Sequence, residues 1–324
     1  MAEPFVMRLR RILHSLTEES AIRMARFLIS DLRARSEIVP EMAELPISGG
    51  YSEDLPRLNA MPSDALPPVI FQTWKSKSVV PSNYRYWRQT FVDHNPDFTV
   101  LLWDDHDNRA FIADRFPWAL PLYDSYPREI FRADAVRFFF LLEFGGMYSD
   151  MDTECLRPIL PSAASGEVVL CRMGGDPTFP HSIPNAIMAS HSGQIFWLFA
   201  ISKLFEAAAR IPDAESRAAA GPEALTGPVL LKNTYDAFMA LDEEGVRQAV
   251  ASFVEKLDAR QRARLRYSRP VLLPSNAWYP VDWTNLIQKQ LSNRLRKDKR
   301  ILPQHVAAKL FPHSAVVTYW SHSW

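Results

Sequence analysis

The chain has 324 residues, enough to bury one large core, either as one elaborated domain or as a domain with a helical extension. Its 37 Lys and Arg balance 37 Asp and Glu and its pI is near 7.1, so no global electrostatic argument for a nucleic-acid partner follows. Two cysteines, Cys155 and Cys171, lack the number and spacing of a disulfide framework or zinc site and read as small buried residues in a reducing compartment.

Phe5, Leu9, Ile12, Leu13 and Leu16 fall at helical spacing, with Arg8, Arg10 and Arg11 among them. Such a basic amphipathic helix either packs on the domain or lies on an anionic membrane. No apolar run of about 18 residues and no signal-peptide pattern is present, so the expected location is cytoplasmic, with peripheral membrane contact open. Residues 1–45 thus read as a helical N-terminal extension. Residues 46–68, rich in Pro, Ser and Gly, read as a linker, and residues 69–324 as the catalytic domain.

Val69 to Thr73 reads as an apolar strand. Ser82 is a candidate N-cap for a helix reaching Asp93, Asn95-Pro96 breaks the chain, and Phe98 to Trp103 reads as a second strand. A helix is expected from Pro127, a first-turn residue, to about Phe144. Its Phe131, Ala135, Phe138 and Leu142 form a stripe facing a sheet. Beside the stripe stand Asp134 and Arg137, which must pair, bind ligand or reach solvent, because an isolated buried charge is costly. Gly145-Gly146 suits a backbone of positive φ at the helix end. Asp150 and Asp152 then share one side of the chain if Tyr148 to Asp152 is extended. Paired carboxylates suit a hard cation, Mn²⁺ or Mg²⁺, carrying a diphosphate.

Lys289, Arg294, Arg296, Lys297, Lys299 and Arg300 interleave with Leu286, Ile287, Leu291, Leu295 and Ile301, giving either a solvated helix face or a contact with anionic lipid. The sequence closes on Ala315-Val-Val-Thr318, strand-like, and Tyr319-Trp-Ser-His-Ser-Trp324.

The ordered set Ile70-Phe-Gln-Thr-Trp-Lys75, Asn95-Pro96 through Trp103-Asp104-Asp105, and Arg132 through Asp152 resembles the DXD-containing sugar transferases, the family 32 type that includes the yeast initiating mannosyltransferase, with distant kinship to the clostridial glucosylating toxins. The resemblance implies an α/β, GT-A-like nucleotide-sugar-binding fold with a mixed, mostly parallel central sheet and added helices. It implies a metal-dependent retaining transfer of a hexose from a UDP- or GDP-sugar to a glycan, glycolipid or protein hydroxyl. On it, Asp134 and Arg137 hold the hexose hydroxyls, Asp152 binds the metal directly, and Asp150 contacts ribose or sugar and the metal's water shell. Trp74, Tyr148, Asn185 and Trp324 contact the donor, and Thr226-Gly227-Pro228 forms the pocket's rear wall. Relatives often carry a histidine or acidic residue five positions before the terminal tryptophan; Tyr319 stands there in this chain, which makes His322 the candidate second metal ligand. His181 and His191 read as structural.

Two rivals remain from the residues alone. Asp150-Met-Asp152-Thr153 also fits the nucleophile motif of haloacid-dehalogenase-type phosphatases, although it follows a polar segment and lacks the later aspartate after Gly175-Asp176. A non-catalytic sugar-binding or membrane-tethering module predicts an eroded site, which the intact aspartates and Arg137 oppose.

Overall fold

A computed structural model of the chain describes residues 37–38, 47–62, 65–211, 213–282 and 300–320. Ten strands are found among them: β1 (Glu37–Ile38), β2 (Val69–Thr73), β3 (Thr99–Trp103), β4 (Gly146–Ser149), β5 (Thr153–Cys155), β6 (Val168–Cys171), β7 (Ile187–Ser190), β8 (Val271–Leu273), β9 (Arg300–Ile301) and β10 (Val316–Thr318). Six form one sheet in the order β3-β2-β4-β7-β6-β8. Its pairs are parallel except where β7 meets β4 and β6, so one reversed strand sits inside an otherwise parallel sheet. This is the mixed, mostly parallel α/β arrangement expected from the sequence. β10 pairs antiparallel with β5, and β1 with β9, as separate two-stranded ladders.

The period-two alternation of the strands divides the core between the two sheet faces. Phe71, Tyr148, Leu170 and Met188 face one cluster, whereas Ile70, Met147, Val169 and Ala189 face the other. Seven longer helices surround the sheet: α1 (Tyr51–Asn59), α2 (Ser82–His94), α3 (Asp105–Arg115), α4 (Glu129–Glu143), α5 (Ile195–Arg210), α6 (Pro228–Ala240) and α7 (Glu243–Val254). α4 carries the predicted stripe and more: every residue from Ala133 to Glu143 is buried. One side of it is fixed by aromatic rings. Phe140 stacks on Phe71 of β2 at 5.0 Å and meets the edge of Trp103 of β3 at 5.2 Å. Such ring pairs add roughly 0.5–1.5 kcal/mol each beyond their burial, enough to hold the helix in one orientation.

Several local expectations are corrected. α2 begins at Ser82 with Pro81 in the cap position and no side-chain cap, because the fixed proline φ already presents the chain for helix entry. Pro127 lies outside α4, which starts at Glu129 after an extended Arg128. The segment read as linker contains α1, a helix tolerating Pro56 because its Tyr51 and Leu58 are buried in the main core and Asp54 accepts a hydrogen bond from Trp103 Nε1 at 2.9 Å. Gly145 and Gly146 have φ of 69° and 83°. A Cβ on Gly146 would stand 2.6 Å from the Val69 carbonyl oxygen, so only glycine lets β4 enter the sheet beside β2. Met151 and Asp152 form a turn rather than an extended segment, closed by Thr153 N donating to Asp150 O at 3.3 Å.

Beside that turn, Glu154 of β5 is fully buried. Its Oε2 accepts from the Tyr319 hydroxyl, and its Oε1 meets no hydrogen-bond partner among the described residues. Burial penalises the charged form and pushes the carboxyl up to about 8, the Tyr319 hydroxyl partly opposing this. An unfolded glutamate titrates near ~4.3, so between that pH and 8 the folded chain holds a proton the unfolded chain has lost. Glu154 therefore contributes stability that is complete below the unfolded value and is lost as pH rises through 8. Thermal midpoints measured in EDTA should fall from pH 6 to pH 8.5, and Glu154→Gln should fall less. Equal slopes for the two proteins would show that Glu154 is not the group responsible.

Candidate active site

The pocket opens beyond the carboxyl ends of β2 and β4, where ligands of open parallel sheets are held. β2 delivers Trp74 and β4 delivers Asp150. Because β7 runs the opposite way, its beginning lies beside the end of β4, with Ser149 opposite Ile187. The turn before β7 thereby brings Asn185 and Ala186 to the same place, and Asp150 N donates to Ala186 O at 2.8 Å. The cavity measures about 620 Å³ and is lined by Trp74, Asp134, Arg137, Asp150, Asp152 and Asn185, among others. That volume falls within the ~300–1,000 Å³ of small-molecule sites.

Arg137 is the centre of this arrangement. Only 2% of its side chain is exposed, and its Nη2 lies 3.0 Å from Asp134 Oδ1 and 3.0 Å from Asp150 Oδ1. Nη1 donates to Asn185 O at 2.9 Å and Nε to Ala133 O at 3.1 Å, while the guanidinium covers the Tyr148 ring at 4.7 Å. Asn185 Nδ2 donates to Asp134 Oδ1 at 2.9 Å. Thr226 also hydrogen-bonds the Asp134 carboxyl, and a Cβ on Gly227 would come within 3.0 Å of Asp134 Oδ2. The Thr226-Gly227-Pro228 segment thus lies against Asp134, with Pro228 on the pocket wall.

Asp134 and Asp150 share this guanidinium, and Asp152 stands beside Asp150 on the same cavity. Burial raises the Asp150 carboxyl to about 7; Arg137 pulls it down and Asp152 pushes it up. Asp134 is raised as well, first by burial, with Arg137 and Asn185 opposing. Carboxylate oxygens grouped in this way fit a hard divalent cation, with Asp152 and Asp150 as the pair that could hold it.

The structure brings Asp134, Arg137, Asp150, Asp152, Trp74 and Asn185 together on one cavity. It places Tyr148 differently from the expectation of a pocket wall. Tyr148 is fully buried beneath the site, donating its hydroxyl to Asp150 Oδ1 at 2.7 Å and lying 3.3 Å from Thr73 Oγ1, so it orients the carboxylate from below. His322 and Trp324, together with Ser323, lie outside the described residues, as do the basic side chains from Lys289 to Arg300 and the helix expected at the N-terminus. His181 lines the pocket and stacks on Phe179 at 5.5 Å. Sequence reasoning gave no site role to Trp320 or Glu223, both on the cavity wall; neither sits in a local pattern that marks a ligand.

A second Asp-X-Asp occurs at Asp105-His106-Asp107, and Asp104, His106 and Asp107 place potential ligand atoms within 4.8 Å of one another. Their chemistry is already used. Asp104 caps α3 by accepting from His106 N and Asp107 N at 3.1 Å each, and Asp107 accepts from Asp104 N at 3.2 Å, Tyr51 N at 3.1 Å and Lys77 Nζ at 2.5 Å.

Comparison with known proteins follows the same geometry. A family model described as "Glycosyltransferase sugar-binding region containing DXD motif" matches residues 81–170. Inositol phosphoceramide mannosyltransferase 3 of Schizosaccharomyces pombe is 37% identical over 142 residues, 44% of this chain and 38% of the relative. Mannosyl phosphorylinositol ceramide synthase SUR1 of Saccharomyces cerevisiae is 33% identical over 43% of this chain and 35% of its own length. The initiation-specific alpha-1,6-mannosyltransferase of the same yeast is 32% identical over 31% and 23% respectively. The chain thus spans between 23% and 38% of the length of these curated relatives. Among solved structures, the PaToxG glycosyltransferase aligns over 96% of this chain and 99% of its own, with a TM-score of 0.41 and 12% identity. Residues 81–170, the part similar to the DXD-bearing sugar-binding region of the glycosyltransferases, contain Asp150-Met151-Asp152.

Proposed function

We propose that the chain is a metal-dependent, retaining hexosyltransferase that moves a sugar, most simply mannose, from a nucleoside diphosphate donor to the headgroup of a glycolipid of the inositol phosphoceramide kind. The observation that carries the reading is the buried Arg137 held between Asp134 and Asp150 beside Asp152, on a cavity of nucleotide-sugar scale. The choice of sugar and acceptor follows the relatives, an inositol phosphoceramide mannosyltransferase and a mannosyl phosphorylinositol ceramide synthase.

In this reading Asp152 and Asp150 hold Mn²⁺ or Mg²⁺, which when bound offsets charge growing on the departing nucleoside diphosphate. Asp134 keeps acceptor capacity after serving Arg137 and Asn185, since an ionised carboxylate offers about four lone-pair sites, and so it can take a hexose hydroxyl. Arg137 opposes the burial that raises Asp134 and Asp150, favouring their ionised forms, and holds the two at fixed separation. Trp74, whose Nε1 donates to Val79 O at 2.9 Å and whose ring meets Tyr84 at 4.6 Å, offers a rigid aromatic wall for the nucleoside base. The phosphatase reading needs Asp150 as a free nucleophile. Both its oxygens already accept from Tyr148 or Arg137, which weakens it in that role.

Asp152→Asn should retain the fold by circular dichroism and lose ~10²-fold or more in Mn²⁺-dependent hydrolysis of a UDP- and GDP-sugar panel, the scale of a lost electrostatic contact to a developing anion. Wild-type turnover in EDTA, or phosphate trapped on Asp150 after acid quench, would end the transferase reading.

A second expectation separates sugar contact from stability. Asp134→Asn keeps the shape and removes the charge, so turnover should fall far more than the affinity for the bare nucleoside diphosphate measured by calorimetry. Equal losses in both would assign Asp134 to the nucleotide or to folding.

We also propose a peripheral contact with anionic membrane through the basic stretches, which places the enzyme at a lipid acceptor. No helix among the described residues is long and apolar enough to cross a membrane. Each cationic side chain near such a surface adds ~1 kcal/mol, screened by salt. The protein should cosediment with phosphatidylserine-rich liposomes at low salt, with loss in high salt and on changing Arg294, Arg296, Lys297, Lys299 and Arg300 to Gln. Binding that ignores lipid charge would favour a soluble glycan or protein acceptor.

A further inference from the structure

Trp320 is the one described residue other than glycine with a positive φ, at 51°. A bulky side chain seldom adopts this conformation, and it persists only where the surroundings enforce it. Here three contacts do so. The indole stacks on the Tyr279 ring at 5.6 Å with 22° between planes, its Nε1 donates to Val281 O at 3.0 Å, and Trp320 N approaches Thr318 Oγ1 at 3.4 Å. The neighbouring Tyr319 is buried the other way, stacked on Trp87 at 4.8 Å. The unusual backbone is thus what turns Trp320 into the cavity after a strand whose next residue is anchored in the core.

Tyr279, beneath Trp320, is buried to 1% and spends its hydroxyl entirely on one turn. The oxygen accepts from Ile187 N at 2.7 Å and, as donor, lies 3.3 Å from Pro184 O and 3.1 Å from Ile187 O, its single proton shared between them. That turn contains Asn185, which holds both Asp134 and Arg137, and Ala186, whose carbonyl holds Asp150 N. The Tyr279 hydroxyl itself hydrogen-bonds only backbone atoms of this turn. The tyrosine acts only by geometry, setting where the Asn185 amide and the Asp150 carboxylate stand.

We infer that Tyr279 is a positioning residue for the sugar half of the donor and that Trp320 is the cavity wall through which a bound hexose presses on it. The inference rests on the donor reading proposed above. The apolar face of a pyranose ring is the chemistry that fits an indole whose N–H is already committed to a carbonyl and so cannot be offered to a phosphate. Pocket occupancy by the hexose and the position of the Asn185 turn are then coupled through one stacked pair.

The test compares the wild type with Tyr279→Phe, Trp320→Leu, Trp320→Phe and the Tyr279→Phe/Trp320→Leu double variant, using the full chain with Mn²⁺. Donor hydrolysis gives kcat and KM, and calorimetry gives affinities for the nucleotide-sugar and for the bare nucleoside diphosphate. Tyr279→Phe should lower kcat ~10-fold or more and leave nucleoside diphosphate affinity within about twofold. Trp320→Leu should weaken the nucleotide-sugar ~10-fold relative to the bare diphosphate, and Trp320→Phe should recover most of that. The double variant should lose less than the product of the single losses, as coupled neighbours do. Multiplicative losses, parallel weakening of both ligands, or no recovery with phenylalanine would overturn the inference. A wild type that binds the bare nucleoside diphosphate yet distinguishes no nucleotide-sugar from it would also overturn it, whereas a wild type that binds neither ligand would remove the donor reading on which it stands.

Discussion

One buried guanidinium shared by two carboxylates sets the terms for everything around the pocket. Arg137 could not be buried alone, and neither could Asp134 or Asp150; each makes the others tolerable. Such a group is a poor source of stability, because desolvating three charges costs about as much as their attraction returns. Its retention makes sense as preorganisation: the acceptors a sugar would meet are already dry, fixed and oriented. The aromatic packing of Phe140 against Phe71 and Trp103 supplies the rigidity that the charges cannot. It sits fewer than two turns along α4 from Asp134, so the rings hold the helix and the helix holds the charges.

The same logic explains the layering beneath the site. Tyr148 below Asp150 and Tyr279 below the Asn185 turn are both buried tyrosines whose hydroxyls reach one functional segment each. A phenol suits this use because its ring fills core volume while its polar tip satisfies a group at the pocket floor. Neither hydroxyl loses its proton near neutral pH, since burial drives both well above the ordinary tyrosine range. These two phenols therefore add no charge beneath the Arg137 group.

What the sequence disclosed follows the range of the interactions involved. The strands β2 and β3, the apolar stripe of α4, the paired glycines and the Asp-X-Asp are set by neighbours within a few residues, and each left a local pattern. Asp134 and Arg137 were visible because three-residue spacing on an apolar helix leaves so few outlets for charge. Tyr279 and Trp320 left no pattern: their partners at Ile187 and Val281 are fixed by sheet topology, and nothing near Trp320 marks it apart from the chain's eight other tryptophans. α1 was hidden by its own Pro56, and became helix through burial of Tyr51 and Leu58. Tyr148 was placed at the site but given the wrong side of it, since alternation along β4 says which face a residue takes and not how deep it lies.

The reversed strand β7 has a consequence for the order in which the protein acquires its chemistry. Domains form as the chain emerges from its N-terminal side, and long-range pairings come late because their loops must close first. The Asp134, Arg137 and Asp150 group lies within one short span, yet its carboxylates and guanidinium are only partly satisfied until the turn before β7 returns across the sheet. That turn is pinned by Tyr279, and β5 beside the aspartates is completed only when β10 arrives from residues 316–318. A nascent chain holding the aspartates but not these later segments has the ligands without the scaffold. On the proposed reading, the carboxylates and guanidinium precede in the chain the segments that complete the scaffold around them.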